Sequence, residues 1–231
     1  MENDFSATEH LVTDNWSNDL NQRQFYEYNL CESILRGYAA LGGLDTGCDI
    51  NLIFADIKNS KNLLEIGAGY GRVIRKLLDL EFMGEIHALE KSHTFYNNLQ
   101  EKFASQVTTH HADILHFDTQ LKFSTIISMW SGISDFTKVE QQLFFNKLAS
   151  LLMEDGQIFM DTSLWNQKPL NATELANQSY IITAQDSILH GYIPTSQEIE
   201  EYAAKAGLKL IRHFTYETDA KRKRLMYVFS L

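Results

Sequence analysis

Cysteine and proline are scarce in these 231 residues, with two of each. Cys31 and Cys48 make neither a disulfide framework nor a metal cluster, so the expected location is reducing and cytoplasmic. No apolar stretch approaches the roughly 20 residues that a membrane span requires. The opening MENDFSATEHLVTDNWSNDL is polar and acidic, without the basic and apolar regions of a signal peptide. Basic charge is short as well. Twenty Lys and Arg stand against 30 Asp and Glu, for a net charge of −10. That balance counts against a broad nucleic-acid surface, which is built from cations neutralising phosphates. One basic run, KRKR at 221–224, falls between two strand-like segments and reads as a solvated hairpin turn. There is no internal repeat, no low-complexity tract and no His/Cys/Asp/Glu set with metal-ligand spacing, so no metal is expected.

Against these absences stands a regular alternation. Leu30, Ile34, Tyr38 and Leu41 fall at helical spacing over 23–41, and Gly42-Gly43 ends the run. A second short helix is expected over 50–57. NLLEI (62–66) reads as a strand, followed by a glycine loop and a helix with Val73, Ile74, Leu77 and Leu78. EIHALE (85–90) is a strand, Ser92 caps a helix through Phe103, and VTTHHAD (107–113) is a weaker strand. FSTIISMW (123–130) is a continuous apolar strand of the kind buried on both faces. Thr137 and Glu140 have capping-box spacing ahead of a helix with Leu143, Phe144, Leu148 and Leu151 inward, and GQIFMDTS (156–163) is the next strand. Residues 164–194 break the rhythm and hold both prolines, so an insertion is expected there. Thr195 and Glu198 repeat the capping box, Gly207 stops that helix, and two long strands close the chain. The pattern predicts an α/β fold: a doubly wound, mostly parallel sheet with helices on both faces and an antiparallel C-terminal hairpin strand.

In such a sheet ligands bind beyond the carboxyl ends of the strands, where strand order reverses. The loop after the first strand, Gly67-Ala68-Gly69-Tyr70-Gly71-Arg72, lies at that point. A plain strand–helix turn needs one or two glycines; three, with Glu65 before them, point to a ligand loop. Glycine permits positive φ and keeps Cβ atoms away from a ligand, while the next helix aims free amides at the same place. The dinucleotide pattern Gly-x-Gly-x-x-Gly is missed by one position, and no Gly-Lys-Ser/Thr of a phosphate loop follows.

The pattern Glu-x-Gly-x-Gly-x-Gly instead resembles motif I of the class I S-adenosylmethionine-dependent methyltransferases, and the order of elements over roughly 50–231 resembles that family's. The resemblance implies a seven-stranded sheet, S-adenosylmethionine as cofactor and S-adenosylhomocysteine as product. It implies a methionine cradle at Glu65, Gly67, Ala68, Gly69 and Gly71. Arg72 either faces the methionine carboxylate or makes a first-turn ion pair. Glu90, with Lys91 beside it, would grip the ribose, and Asp113 and Ile114 the adenine. Met129 and Trp130 would lie beside the methyl group, although Trp130 in the core is an even alternative. The resemblance divides the chain into an N-terminal helical lid (1–48) and a methyltransferase domain (49–231) whose 164–194 insertion caps the substrate.

The chemistry expected is in-line methyl transfer to oxygen or nitrogen of a small molecule, with no nucleic-acid or membrane partner. Met129-Trp130-Ser131-Gly132 replaces the Asn/Asp-Pro-Pro-Tyr/Phe of members acting on planar nitrogens. No catalytic residue is evident; His190, otherwise a surface histidine, is the one base considered. Tyr26, Tyr28, Trp130, Trp165 and Tyr192 are the candidate substrate contacts. The alternatives are an NAD(P)-dependent oxidoreductase, which shares the loop and the ribose acid, and a non-catalytic adenosylmethionine-binding module. Methylation of RNA or protein is disfavoured by the acidic charge.

Overall fold

The computed structural model describes residues 25–27, 30–169, 172–184 and 187–231. Its frame is a seven-stranded sheet of β1 (Asn62–Ile66), β2 (Glu85–Glu90), β3 (Val107–His111), β4 (Phe123–Ser128), β5 (Leu152–Ser163), β9 (Lys209–Glu217) and β10 (Lys223–Ser230). Their order is β3-β2-β1-β4-β5-β10-β9. The first five run parallel, and β10 lies antiparallel between β5 and β9. Strand order reverses between β1 and β4, which opens a crevice above β1.

Each strand sends alternate side chains to opposite faces, and the two faces carry two cores. Leu63, Ile86, Ile127 and Val228 pack against α2 (Cys48–Ile57), α3 (Arg72–Asp79) and α4 (His93–Phe103) through Ile53, Ile74, Leu77 and Leu99. Leu64, Leu89, Ile126 and Ile158 pack on the other face against α5 (Lys138–Leu151) and α6 (Ser196–Lys205) through Phe144, Leu148 and Ile199. All five residues of β1 are buried, as a central parallel strand requires.

Local signals hold. The Ser92 hydroxyl accepts from Phe95 N, and Thr137/Glu140 and Thr195/Glu198 both form complete capping boxes. Three expectations are corrected. The 23–41 pattern is not one helix: residues 25–27 are helical, and α1 (Glu32–Gly42) starts afresh after Cys31. Leu143 is half exposed and Phe145 is buried in its place, because α5 turns its 144/145/148 face to the sheet. The KRKR run is not all solvated. Arg224 is the second residue of β10 and is buried, while Arg222 reaches back to donate to the carbonyls of Gln167 and Lys168.

Residues 164–194 carry a three-stranded antiparallel sheet of β6 (Thr173–Glu174), β7 (Ser179–Ala184) and β8 (Ser187–Tyr192). Its Tyr180, Ile182 and Leu189 cluster with Phe25, Tyr26 and Leu30 from the N-terminal side. These two sequence-distant pieces meet over the crevice.

Candidate active site

A cavity of about 430 Å³ fills the crevice. Its floor is the end of β1 with the glycine loop, its sides are the ends of β2 and β4, and its roof is the helical Phe25-Tyr26 segment with the small sheet. Of the expected cofactor residues, Glu65, Gly67, Ala68, Gly69, Arg72, Glu90, Lys91, Asp113, Ile114, Met129 and Trp130 all line it.

The three glycines divide into two jobs. All have positive φ, at 69°, 53° and 81° for Gly67, Gly69 and Gly71. A Cβ on Gly67 would meet nothing within 4 Å, and one on Gly69 would come no nearer than 3.9 Å to Leu35 and 4.0 Å to Gly67 O. One on Gly71 would fall 2.5 Å from Phe103 Cε2. Gly71 therefore serves the packing of α3 on α4 and is not among the lining residues, a correction to its expected place in the cradle. Gly67 and Gly69 keep the cavity floor bare.

Glu90 ends β2 with its carboxylate turned across the loop. Its Oε2 accepts from Gly69 N at 2.8 Å and its Oε1 from Ser92 N at 2.7 Å. Burial raises its pKa while these amides and Lys91 pull it down. Asp113 accepts from Leu115 N, and Lys91 Nζ lies 3.8 Å from its Oδ2. Arg72 takes the ion-pair option. Its guanidinium forks onto Asp49 at 2.8 and 2.7 Å and donates to Leu44 O, behind the cavity wall.

Beyond β4, Trp130 and Ser131 stand at φ 60° and 62°, a left-handed pair without glycine. Such a pair persists only where surrounding contacts over-determine it. Ser131 N donates to Asp161 Oδ1 at 3.0 Å, and its hydroxyl accepts from Arg224 Nη2 at 2.7 Å. Asp161 also accepts from Tyr216 and Arg224, so a buried ion pair under the turn presents Trp130 to the cavity.

The expected substrate contacts sort clearly. Tyr26 and Trp130 line the cavity; Tyr28 lies outside the described residues. Trp165 and Tyr192 are not on the cavity wall. Trp165 packs at the edge of the roof cluster under Lys168, and the Tyr192 hydroxyl donates to Glu198 at 2.6 Å. His190 is also off the wall, because β8 alternation turns Leu189 inward. Tyr180, an aromatic residue of the expected 164–194 cap, does line it, and sequence reasoning missed Asp135, Ser134 and Gln167, which line it as well. Asp135 had a weak signal, being the first acid after β4.

Several polar atoms at this wall are buried without a hydrogen bond: Glu65 Oε2, Tyr70 Oη, Ser128 Oγ and Ser134 Oγ. Buried polar atoms are normally paired, so this set, beside a floor with no Cβ, fits a polar ligand with its own donors. Burial lifts the Glu65 carboxyl to about 8, against the pull of Arg72. A carboxyl raised in the folded state stabilises that state fully only below its ordinary value of 4.5. Above it, stability should fall by up to about 1.4 kcal/mol per pH unit until the folded value of about 8 is passed. Glu65→Gln is predicted to flatten this decline in thermal melts of the ligand-free protein. Equal slopes for the two proteins would contradict the assignment.

Among the described residues, no helix is long and apolar enough to cross a membrane, and no His/Cys/Asp/Glu group can hold a metal ion. No curated protein matches the sequence. Solved structures do. Magnesium protoporphyrin IX methyltransferase from Synechocystis PCC 6803 is 12% identical with a TM-score of 0.67, over 95% of this chain and 100% of that one. The CcbJ methyltransferase from Streptomyces caelestis is 19% identical with a TM-score of 0.63, over 80% and 89%. CalS10, an amino pentose methyltransferase from Micromonospora echinaspora, is 13% identical with a TM-score of 0.62, over 86% and 97%. At these identities the likeness is one of fold. Residues 46–222 match the family model described as mycolic acid cyclopropane synthetase. The chain belongs to that family, and so to the class I S-adenosylmethionine-dependent methyltransferases.

Proposed function

We propose that this protein transfers the methyl group of S-adenosylmethionine to an oxygen or nitrogen of a small molecule. The observation that carries this reading is the bare backbone at Gly67 and Gly69 beside the buried carboxyl groups of Glu65 and Glu90. Glu65 and the loop amides and carbonyls would hold the amino-acid end. Glu90, whose two oxygens each keep a lone pair beyond the amides they accept from, would take the ribose hydroxyls. Asp113 and Ile114 would hold the adenine. Bound there, the cofactor supplies a methyl group already activated by the sulfonium charge. The protein then aligns a nucleophile with it and excludes water, and such orientation supplies about 7–11 kcal/mol in favourable cases.

A small substrate is favoured by the net charge of −10, which counts against a polyanionic one. An NAD(P)-dependent oxidoreductase is disfavoured by the antiparallel β10 between β5 and β9. The dinucleotide fold has six parallel strands in the order 3-2-1-4-5-6. A second reading, methylation of an alkene carbon in a lipid, draws on the family's description and on the apolar walls Phe25, Leu30, Ile182 and Leu189.

Calorimetric titration tests the proposal. S-adenosylhomocysteine should bind one to one and NADH not at all; the opposite result overturns the reading. Hydrogen bonds to charged groups contribute about 1.5–3 kcal/mol, so Glu90→Ala should weaken S-adenosylhomocysteine roughly 10- to 100-fold.

A further inference from the structure

The cavity has a second acidic end that the cofactor reading does not use. Asp135 closes the short 3-10 helix after β4 (Gly132–Asp135), and the Tyr26 hydroxyl donates to its Oδ2. Among the described residues Tyr26 is the one hydrogen-bond partner of the Asp135 side chain, which leaves Oδ1 able to accept from a ligand. Tyr180 is close enough that the Asp135 charge adds to burial in keeping its hydroxyl protonated. It reaches there because its cross-strand partner is Gly191, where a Cβ would fall 2.1 Å from Tyr180 Cζ. Around the three polar groups the wall is apolar: Phe25, Ile182 and Leu189.

Charge at this wall is lopsided. Two lining arginines, Arg72 and Arg224, are each neutralised from behind by Asp49 and Asp161. Arg222 donates to the Gln167 and Lys168 carbonyls, and Lys91, 3.8 Å from Asp113 and 5.8 Å from the centre of the Tyr26 ring, also acts on Asp135 through its charge. Asp135 is thus a half-buried carboxylate beside an apolar wall, and among the described residues no cation is hydrogen-bonded to it. Such a group calls for a cationic partner with a proton to give.

We propose that Asp135, held by Tyr26, receives the ammonium group of an amine substrate with an apolar body and takes its proton. The inference rests on the methyltransferase reading and narrows its acceptor to nitrogen. The Asp135 carboxylate accepts one proton from the bound ammonium, leaving a neutral amine. The nitrogen lone pair forms the N–C bond to the sulfonium methyl as the C–S bond breaks. That electron pair stays on sulfur, giving a thioether and an N-methylammonium, and Asp135 returns its proton to solvent. Burial raises the Asp135 carboxyl, and the Tyr26 hydrogen bond and the Lys91 charge lower it. Tyr26, Lys91 and Tyr180 are the titratable groups that face it.

The test uses the whole protein saturated with S-adenosylhomocysteine and ligand-observed NMR at neutral pH. The probes are phenethylamine and hexylamine, each beside the alcohol that replaces its amine. Wild type should bind the amines at least tenfold more tightly than the alcohols, and Asp135→Asn should erase that preference. Tyr26→Phe keeps the carboxylate but removes its donor, so the preference should persist and fade at a higher pH than in wild type. A structural role alone would not move that midpoint. Equal affinity for amines and alcohols, binding of neither, a preference surviving Asp135→Asn, or an unmoved midpoint in Tyr26→Phe overturns the inference. Failure of wild type to bind S-adenosylhomocysteine would instead sink the proposed function, so the two are told apart.

Discussion

Gly67→Val is expected to give a folded protein that has lost S-adenosylhomocysteine binding, whereas Gly71→Ala should give an intact cradle on a much less stable protein. Both positions have a left-handed backbone, and a non-glycine residue pays about 1–2 kcal/mol for it. The difference lies in what the new carbon meets. At Gly67 it enters open cavity, so the strain is the whole cost to stability and the branched side chain occupies the space of the ligand. At Gly71 it meets Phe103 at 2.5 Å and Leu99 at 3.0 Å, both buried and tightly held. Overpacking of that kind adds about 1–3 kcal/mol, a large part of the total stability of a typical domain. Thermal melts and calorimetry on the two variants should thus show opposite losses. A Gly67→Val protein that binds S-adenosylhomocysteine normally would remove the glycine cradle from the site.

The second large effect is expected at Asp161, which does not itself line the cavity. Its side chain is fully buried and accepts from Arg224, Tyr216 and the amide of Ser131. Asp161→Ala leaves the buried Arg224 without its counter-charge, and breaking such a pair by removing one partner costs about 3–5 kcal/mol. It also frees Ser131 N, so the left-handed Trp130-Ser131 turn should relax and weaken S-adenosylhomocysteine binding about tenfold or more. Adding Arg224→Met removes the orphaned charge. The double variant should regain stability but not affinity, because the anchor of Ser131 is still missing. Recovery of both would mean that Trp130 is placed by something else. The pH dependence follows the same pair. Burial opposes ionisation of Asp161, but the Arg224 charge and its hydrogen bonds prevail and hold the carboxyl below its ordinary 3.8. A depressed folded value contributes stability above that pH and loses it as the solution becomes more acid. Wild type should therefore lose stability below about pH 3.8 through a component that Asp161→Ala lacks.

Much of the site was legible because its determinants are local. Glu65, the glycines and Glu90 lie at the strand ends and joining loop of one βαβ unit, so chain order alone places them together. The caps at Ser92, Thr137 and Thr195 are three-residue signals and formed as read. The illegible part is long-range. Tyr26 and Asp135 are 109 residues apart, and Arg224 and Ser131 are 93 apart. No periodicity links such pairs. A basic run between two strands carries the pattern of a solvated turn, whichever of its arginines the sheet register turns inward.

By itself, then, the sequence determined the alternation of strand and helix, the bare loop after β1 and the acid that ends β2, because those depend on hydrogen bonding and backbone freedom within a few residues. Only the tertiary structure decided that Gly71 packs while Gly67 and Gly69 cradle, that Arg72 and Arg224 face carboxylates behind the wall, and that Asp135, Tyr26 and Tyr180 share one pocket. Those outcomes depend on which distant surfaces are pressed together, and burial sets the charge and the partners of each group only once they meet.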